Sequence, residues 1–232
     1  GWFLDHPRYD AVADAIDLVA VSLDGPPKIH RAMRGSAHAF SRFERGTAAL
    51  RKQGKTFGVV HTVTAGIWEH LFETAAIAAE AGAALFQIHA LELAGRAAGR
   101  NDAPDRVLAE KIYIIAALLR VKYHERMAIH IDLEHRDVMT RPCDGSDPAQ
   151  ALGILVLEAD GTLSPLTYGF DRRFSLGSVR EAGLGELWDR WLDNGYPRYL
   201  ALRRAFTAQV EQPAAREVFN RYEEMMRLAE AA

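Results

Sequence analysis

VAVSLDGPPKIHRAMRG, residues 19–35, decides how this chain is read. A short run of β-branched and apolar residues stops at Ser22-Leu23-Asp24, and Gly25-Pro26-Pro27 prevents its continuation as a strand. A hydroxyl and a carboxylate therefore stand at the carboxyl end of a buried strand, with His30 and Arg34 close behind. In open α/β sheets ligands bind at that end. Ser22 and Asp24 alternate onto one face and suit a ligand rich in hydrogen-bond donors, such as a ribose or an α-amino group. A turn or cap after a strand uses the same residue types.

Outward from this stretch the chain alternates. Residues 17–24, 56–64, 84–92 and 127–134 read as strands, being short, β-rich and bounded by turn signals. Between them run apolar stripes at helical spacing. One carries Phe40, Phe43, Thr47 and Leu50 and stops at Gln53-Gly54; the next carries Trp68, Leu71, Phe72, Ala75, Ala76 and Ala79 and stops at Gly82. A loop with Gly95, Gly99 and Pro104 leads into a helix of about twenty residues, 105–126. Strand starts recur every ~30–40 residues, the length of a βα unit. Right-handed crossovers then give a doubly wound sheet or part of a (β/α) barrel.

Residues 138–150 are polar and hold Pro and Gly, the composition of a linker. Beyond it two extended runs flank Ala159-Asp160-Gly161, a hairpin signal, and the rest is helical. The expected domains are residues 1–137 and 138–232.

Composition narrows the function. With 232 residues, 49% hydrophobic and 25% charged, this is ordinary globular usage with room for a sizeable core. A net charge of -3 argues against a general nucleic-acid binder. The longest strongly apolar run, Ile112 to Leu119, is too short to span a bilayer, and no secretory signal pattern opens the sequence. A single cysteine, Cys143, excludes an internal disulfide, fits a reducing cytoplasm and reads as an inert linker thiol. It also leaves this chain short of the three or four thiolates that an iron–sulfur cluster takes. The chain opens on Gly1-Trp2-Phe3 without Met, so a processed or shortened protein is expected. Trp68, Trp188 and Trp191 read as core or interface anchors.

Several motifs in order resemble radical SAM enzymes that carry a SPASM or twitch extension. They are the strand with Ser22-Leu23-Asp24-Gly25-Pro26, then His30 and Arg34-Gly35, residues 50–54 (LRKQG), VVHTVT, FQIHALELAGRA, Cys143, VLEADGTLSPLTYG and SLGSVREAGLGELW, over about residues 9–190. The resemblance implies a partial (β/α) TIM-like barrel, class α/β, with a small C-terminal hairpin-plus-helix extension. It implies S-adenosyl-L-methionine (SAM) and a [4Fe–4S] cluster in an oxidoreductase that forms a 5′-deoxyadenosyl radical. By the same resemblance Ser22 contacts the amino-acid or ribose part of SAM, His61 and Thr62 lie near the ribose, and Leu91 lies near the adenine. Asp24 shares the Ser22 face. Arg34 and Arg96 suit a carboxylate or phosphate, since a guanidinium binds such groups bidentately; solvated loop charges would look the same. The family's CxxxCxxC loop is absent, and Pro165-Leu166 stands where the extension has Pro-Cys. The expected partners are therefore a missing N-terminal half of the barrel or a second copy, and a substrate peptide or small molecule, with no nucleic acid and no membrane. No cofactor is expected on the isolated chain.

Two other readings stay open. His61, His89 and His130 fall on three successive strands, and Asp132 and Glu134 share the His130 face, flanked by His124 and His135. Strand alternation could aim the three histidines and Asp132 at one axis, making a site for zinc or a similar ion that activates water. The remaining reading is a non-catalytic binding lobe.

Overall fold

Strand β1 (Val19–Ser22) is one edge of a four-stranded parallel sheet that continues through β2 (Phe57–Val63), β3 (Leu85–Ala90) and β4 (Ala128–Ile131) in that order. The computed structural model describes residues 4, 13–91, 97, 99–139, 147–212 and 218–231. Helices return the chain between strands: α1 (Pro27–Arg34) and α2 (Ala39–Lys52) after β1, α3 (Leu71–Glu80) after β2, and α4 (Arg106–Tyr123) after β3. The fold is α/β, a partial (β/α) TIM-like barrel with a small C-terminal extension of hairpin and helices.

Helix α1 is a finding that the strand-and-turn reading lacked. Pro27 sits in its first turn, where a missing N–H costs nothing, and Gly35 ends it in the left-handed region at φ 60°. Ser36 N–H reaches back to the Arg31 carbonyl at 3.2 Å, closing the last turn. Gly25, at φ +152°, lets the chain turn from strand to helix; a Cβ there would lie 2.6 Å from Ile29 Cγ2.

Alternation separates the two faces of the sheet. Val21, Val59, His61, Val63, Phe86, Ile88, Ile129 and Ile131 are all buried. They face the apolar sides of the helices, including Phe43 and Leu50 of α2, Leu71, Ala75 and Ala78 of α3, and Ile112, Ala116 and Leu119 of α4. Each large side chain so buried contributes about 1.5–3 kcal/mol. Asp105 caps α4 by accepting from the Leu108 N–H at 2.8 Å, which fixes where that face begins. On the other face Ser22 and His130 are exposed, and Val60, Thr62, Gln87 and His89 are half-buried.

Two compact units divide the chain, residues 1–133 and 134–232. Strand β5 (Leu133–His135) leads into the second, followed by one helical turn at Arg136–Met139 and helix α5 (Pro148–Leu152), capped by Asp147. An antiparallel sheet of β6 (Leu155–Leu157), β7 (Thr162–Pro165) and β8 (Gly177–Ser178) contains the hairpin that Asp160-Gly161 signals. Helices α6 (Leu184–Asn194) and α7 (Tyr196–Val210), strand β9 (Val218–Asn220), paired with β5, and helix α8 (Arg221–Ala231) complete it. Its core mixes aliphatic and aromatic side chains: Trp191 packs on Tyr196 and Tyr199 with ring centroids 5.4 and 5.9 Å away, and donates its indole N–H to the Phe174 carbonyl at 3.0 Å. Trp188 packs against that core, whereas Trp68 is half-buried under the Lys111 ammonium. Arg96 and Cys143 lie outside the described residues. No described helix is long and apolar enough to cross a membrane.

Candidate functional site

The parallel register lines up polar side chains on the half-open face of the sheet. Ser22 pairs with Val60, Val60 with Gln87, and Gln87 with His130; one step toward the carboxyl ends, Thr62 pairs with His89. The Asp132 N–H donates to the Ile88 carbonyl at 3.1 Å and so carries the β3–β4 ladder on to Asp132. The carboxylate of Asp132 is buried and gathers its neighbours: the Gln87 amide donates to Oδ1 at 2.9 Å, His89 Nδ1 meets Oδ2, and His130 Nδ1 stands 3.7 Å from Oδ1. A buried carboxylate needs such partners. Here they also fix the Gln87 and His89 side chains against the strands.

At the mouth of β1 a second carboxylate is clamped. Asp24, 1% exposed, accepts from Arg34 Nε at 2.5 Å and Nη2 at 2.9 Å, the bidentate pairing that a guanidinium makes. Burial pushes the Asp24 carboxyl up, but the hydrogen bonds and charge at its side outweigh this and hold it below the usual carboxylate range. His30 contributes differently. Its Nδ1 accepts the Asp24 backbone N–H at 3.1 Å, so that nitrogen is unprotonated and its 3.4 Å approach to the carboxylate is not a hydrogen bond. Arg34 is thus turned inward onto Asp24.

His61 sits on the other side of the sheet. Its register partner is Ile88, not His89, and it stacks against Phe86 among the helix-facing residues. The Leu23 carbonyl, 3.1 Å from Nδ1, can only accept, so Nδ1 carries the proton and Nε2 is buried without a hydrogen-bond partner. Burial pulls the imidazole down to about 4. This departs from the expectation that three strands aim their histidines at one axis: His89 and His130 share a face with Asp132, and His61 is turned away from them. Among the described residues no group of three or more His, Cys, Asp or Glu is arranged to hold a metal ion.

The remaining expected residues follow the sheet. Ser22 is exposed at the carboxyl end of β1, Thr62 is half-buried beside His89, and Leu91 follows β3, held by its N–H to the Val63 carbonyl at 3.1 Å. The loops beyond β2 and β3 are joined by the Ala65 N–H on the Asp102 carbonyl at 2.8 Å. Gln87 escaped the sequence reading. Its only signal was the alternation it shares with His89.

No family model matches the sequence, and no curated protein matches it. Solved structures do. The chain resembles native anSMEcpe with bound AdoMet at TM-score 0.56 and 16% identity, covering 100% of this chain and 71% of that one. It resembles native anSMEcpe with bound AdoMet and Cp18Cys peptide at 0.56 and 17%, covering 92% and 68%. Streptococcus suis SuiB bound to S-adenosylmethionine matches at 0.55 and 13%, covering 80% of this chain and 44% of that one. At these identities it is the fold that is shared.

Proposed function

We propose that this chain is the SAM- and substrate-contacting lobe of a cytoplasmic radical SAM oxidoreductase of the SPASM or twitch type, with a peptide as the favoured substrate class. The observation that carries the proposal is the polar row at the carboxyl ends of β1–β4. Two hydroxyls, an amide and two imidazoles face the same way there, with Leu91 beside them. That set fits SAM: Ser22 and Thr62 for the ribose and amino-acid groups, Leu91 for the adenine. The shared fold supports it, since anSMEcpe and SuiB were solved with AdoMet bound, and anSMEcpe also with a peptide.

SAM brings the reactive sulfonium; the protein's share is to hold it, orient it and keep water away. Ser22 and Thr62 would bind, and Asp132 would fix the Gln87 and His89 side chains that border them. Asp24 and Arg34, spent on each other, would shape the β1 loop, and His61 would hold the strand end from behind through the Leu23 carbonyl. A [4Fe–4S] cluster does not fit this chain. Its single cysteine falls short of the thiolates required, so cluster ligands would come from polypeptide outside these 232 residues.

The test is equilibrium dialysis against labelled SAM of the chain together with the polypeptide that supplies the cluster ligands. Saturable binding, displaced by S-adenosylhomocysteine and weakened about three- to tenfold by Ser22→Ala or Thr62→Val, is the expected result. Absence of saturable binding would overturn the proposal.

A further inference from the structure

The second unit holds a cavity of about 380 Å³, a size within the range of small-molecule sites, roughly 300–1,000 Å³. It lies between α5, α7, α8 and the chain around Glu134. One wall is apolar, with Leu152, Leu166, Phe206 and Met225; the other carries Arg203, Arg221 and Glu134. Arg221 is the anomaly. Its Nε is buried with no hydrogen-bond partner although the side chain as a whole is 33% exposed, and its ion-pair partner, Glu134 Oε1, stops 3.8 Å away, beyond hydrogen-bond reach. A buried guanidinium donor without an acceptor is costly and uncommon. Arg203 donates one N–H to the Ala151 carbonyl, which pins its guanidinium against the wall made by α5. Leu166 adds a second irregularity: it is the non-glycine residue with positive φ, 71°, among those described, and strain of that kind clusters at ligand sites.

We infer that this cavity binds a small monocarboxylate with an apolar body. The carboxylate would accept from Arg221 Nε and sit beside Arg203, and the hydrocarbon would cover Leu152, Leu166, Phe206 and Met225. The charges choose the class. Two arginines against one glutamate leave a single positive charge, which one carboxylate balances. A phosphate dianion would overshoot and face Glu134, and an amine would lack a free acid. The site lies within the second unit, and its occupancy does not depend on SAM binding by the first.

Hexanoate is the probe, titrated into the full chain and followed by methyl NMR of Leu152, Leu166 and Met225. Saturable shifts at these methyls in the millimolar range or below are expected, with no comparable shifts from hexylamine or inorganic phosphate. Arg221→Gln should weaken binding about tenfold or more, the effect of one charge-assisted hydrogen bond. Glu134→Gln removes the competing carboxylate and should tighten binding, a direction that damage to the fold would not produce. No saturable hexanoate shift, phosphate binding as well as hexanoate, or weakening by Glu134→Gln would each overturn the inference.

Discussion

Arg34 reaches back across ten residues to close on Asp24, with Nε 2.5 Å and Nη2 2.9 Å from the carboxylate. The acid lies at the end of a strand and the base at the end of the next helix, so the pair fastens the whole β1–α1 turn. Arg34→Ala leaves a buried carboxylate without its cation. We expect a loss of about 2–3 kcal/mol in urea unfolding, below the roughly 3–5 of a fully buried pair because the Arg34 side chain is 41% exposed. The sign of the pH dependence follows from the lowered Asp24 carboxyl. Its contribution is complete above the unfolded value of about 3.9 and is lost as pH falls through the lower folded value. The difference between wild type and variant should therefore be flat near neutral pH and shrink in strong acid.

His61 titrates in the opposite setting, buried and neutral, with its imidazole pulled down to about 4. Between pH 6.5 and 4 the unfolded chain takes up a proton that the folded chain refuses, so stability falls as pH falls through that window. A depression of this size corresponds to about 3 kcal/mol at about 1.4 kcal/mol per pH unit. His61→Leu should flatten that part of the stability curve, and an unchanged slope would sink the assignment.

Asp132 holds Gln87 and His89 together on the open face. Asp132→Ala removes the acceptor of the Gln87 amide and one partner of His89, and a cost of about 1–3 kcal/mol is expected in thermal or urea melts. Under the proposed function SAM affinity should fall as well, because the row of side chains loses its anchor. Asp132→Asn, which keeps an acceptor for the Gln87 amide, should recover part of both.

Gly25→Ala meets two obstacles, a backbone at φ +152° and a contact of 2.6 Å with Ile29 Cγ2. The backbone alone accounts for about 1–3 kcal/mol. The double variant Gly25→Ala, Ile29→Ala removes the Cγ2 contact but keeps the Ile29 Cβ, 2.8 Å from the new methyl, so paired chemical denaturation should show recovery of only a part of the loss.

Among the described residues the four-stranded sheet ends on β1 and β4, which leaves two edges without a strand neighbour, the β4 edge partly covered by Arg120 Nε donating to the Ile129 carbonyl at 3.1 Å. Pairing through such an edge is the basis for expecting a second copy or another barrel segment as partner. Gel filtration should show concentration-dependent association, and Leu18→Lys, placed just before the β1 edge, should shift it toward the single chain.

The strands were legible because each is short, β-rich and stopped by Gly, Pro or a charged turn, and the hairpin because Asp160-Gly161 marks it. Helix α1 was not, since Gly25-Pro26-Pro27 reads as a turn, although Pro27 at its start and Gly35 at its end were signals enough. The face of His61 was ambiguous for a physical reason. Val59, Val60 and Val63 supply apolar residues to both sides of β2, so alternation alone does not say which side meets the helices; the register with Ile88 does. The clamps on Asp24 and Asp132 are three-dimensional facts. Gln87 and Asp132 are 45 residues apart, and no local pattern announces their meeting.

The Asp24–Arg34 closure also acts as a length gauge. Only a helix of eight residues after Gly25-Pro26 returns a side chain from position 34 to the end of β1. One residue added or removed would rotate that side chain by about 100° around the helix axis and swing it off the carboxylate. Apart from Gly25 and Arg34, this connection should therefore accept residue changes far more readily than insertions or deletions.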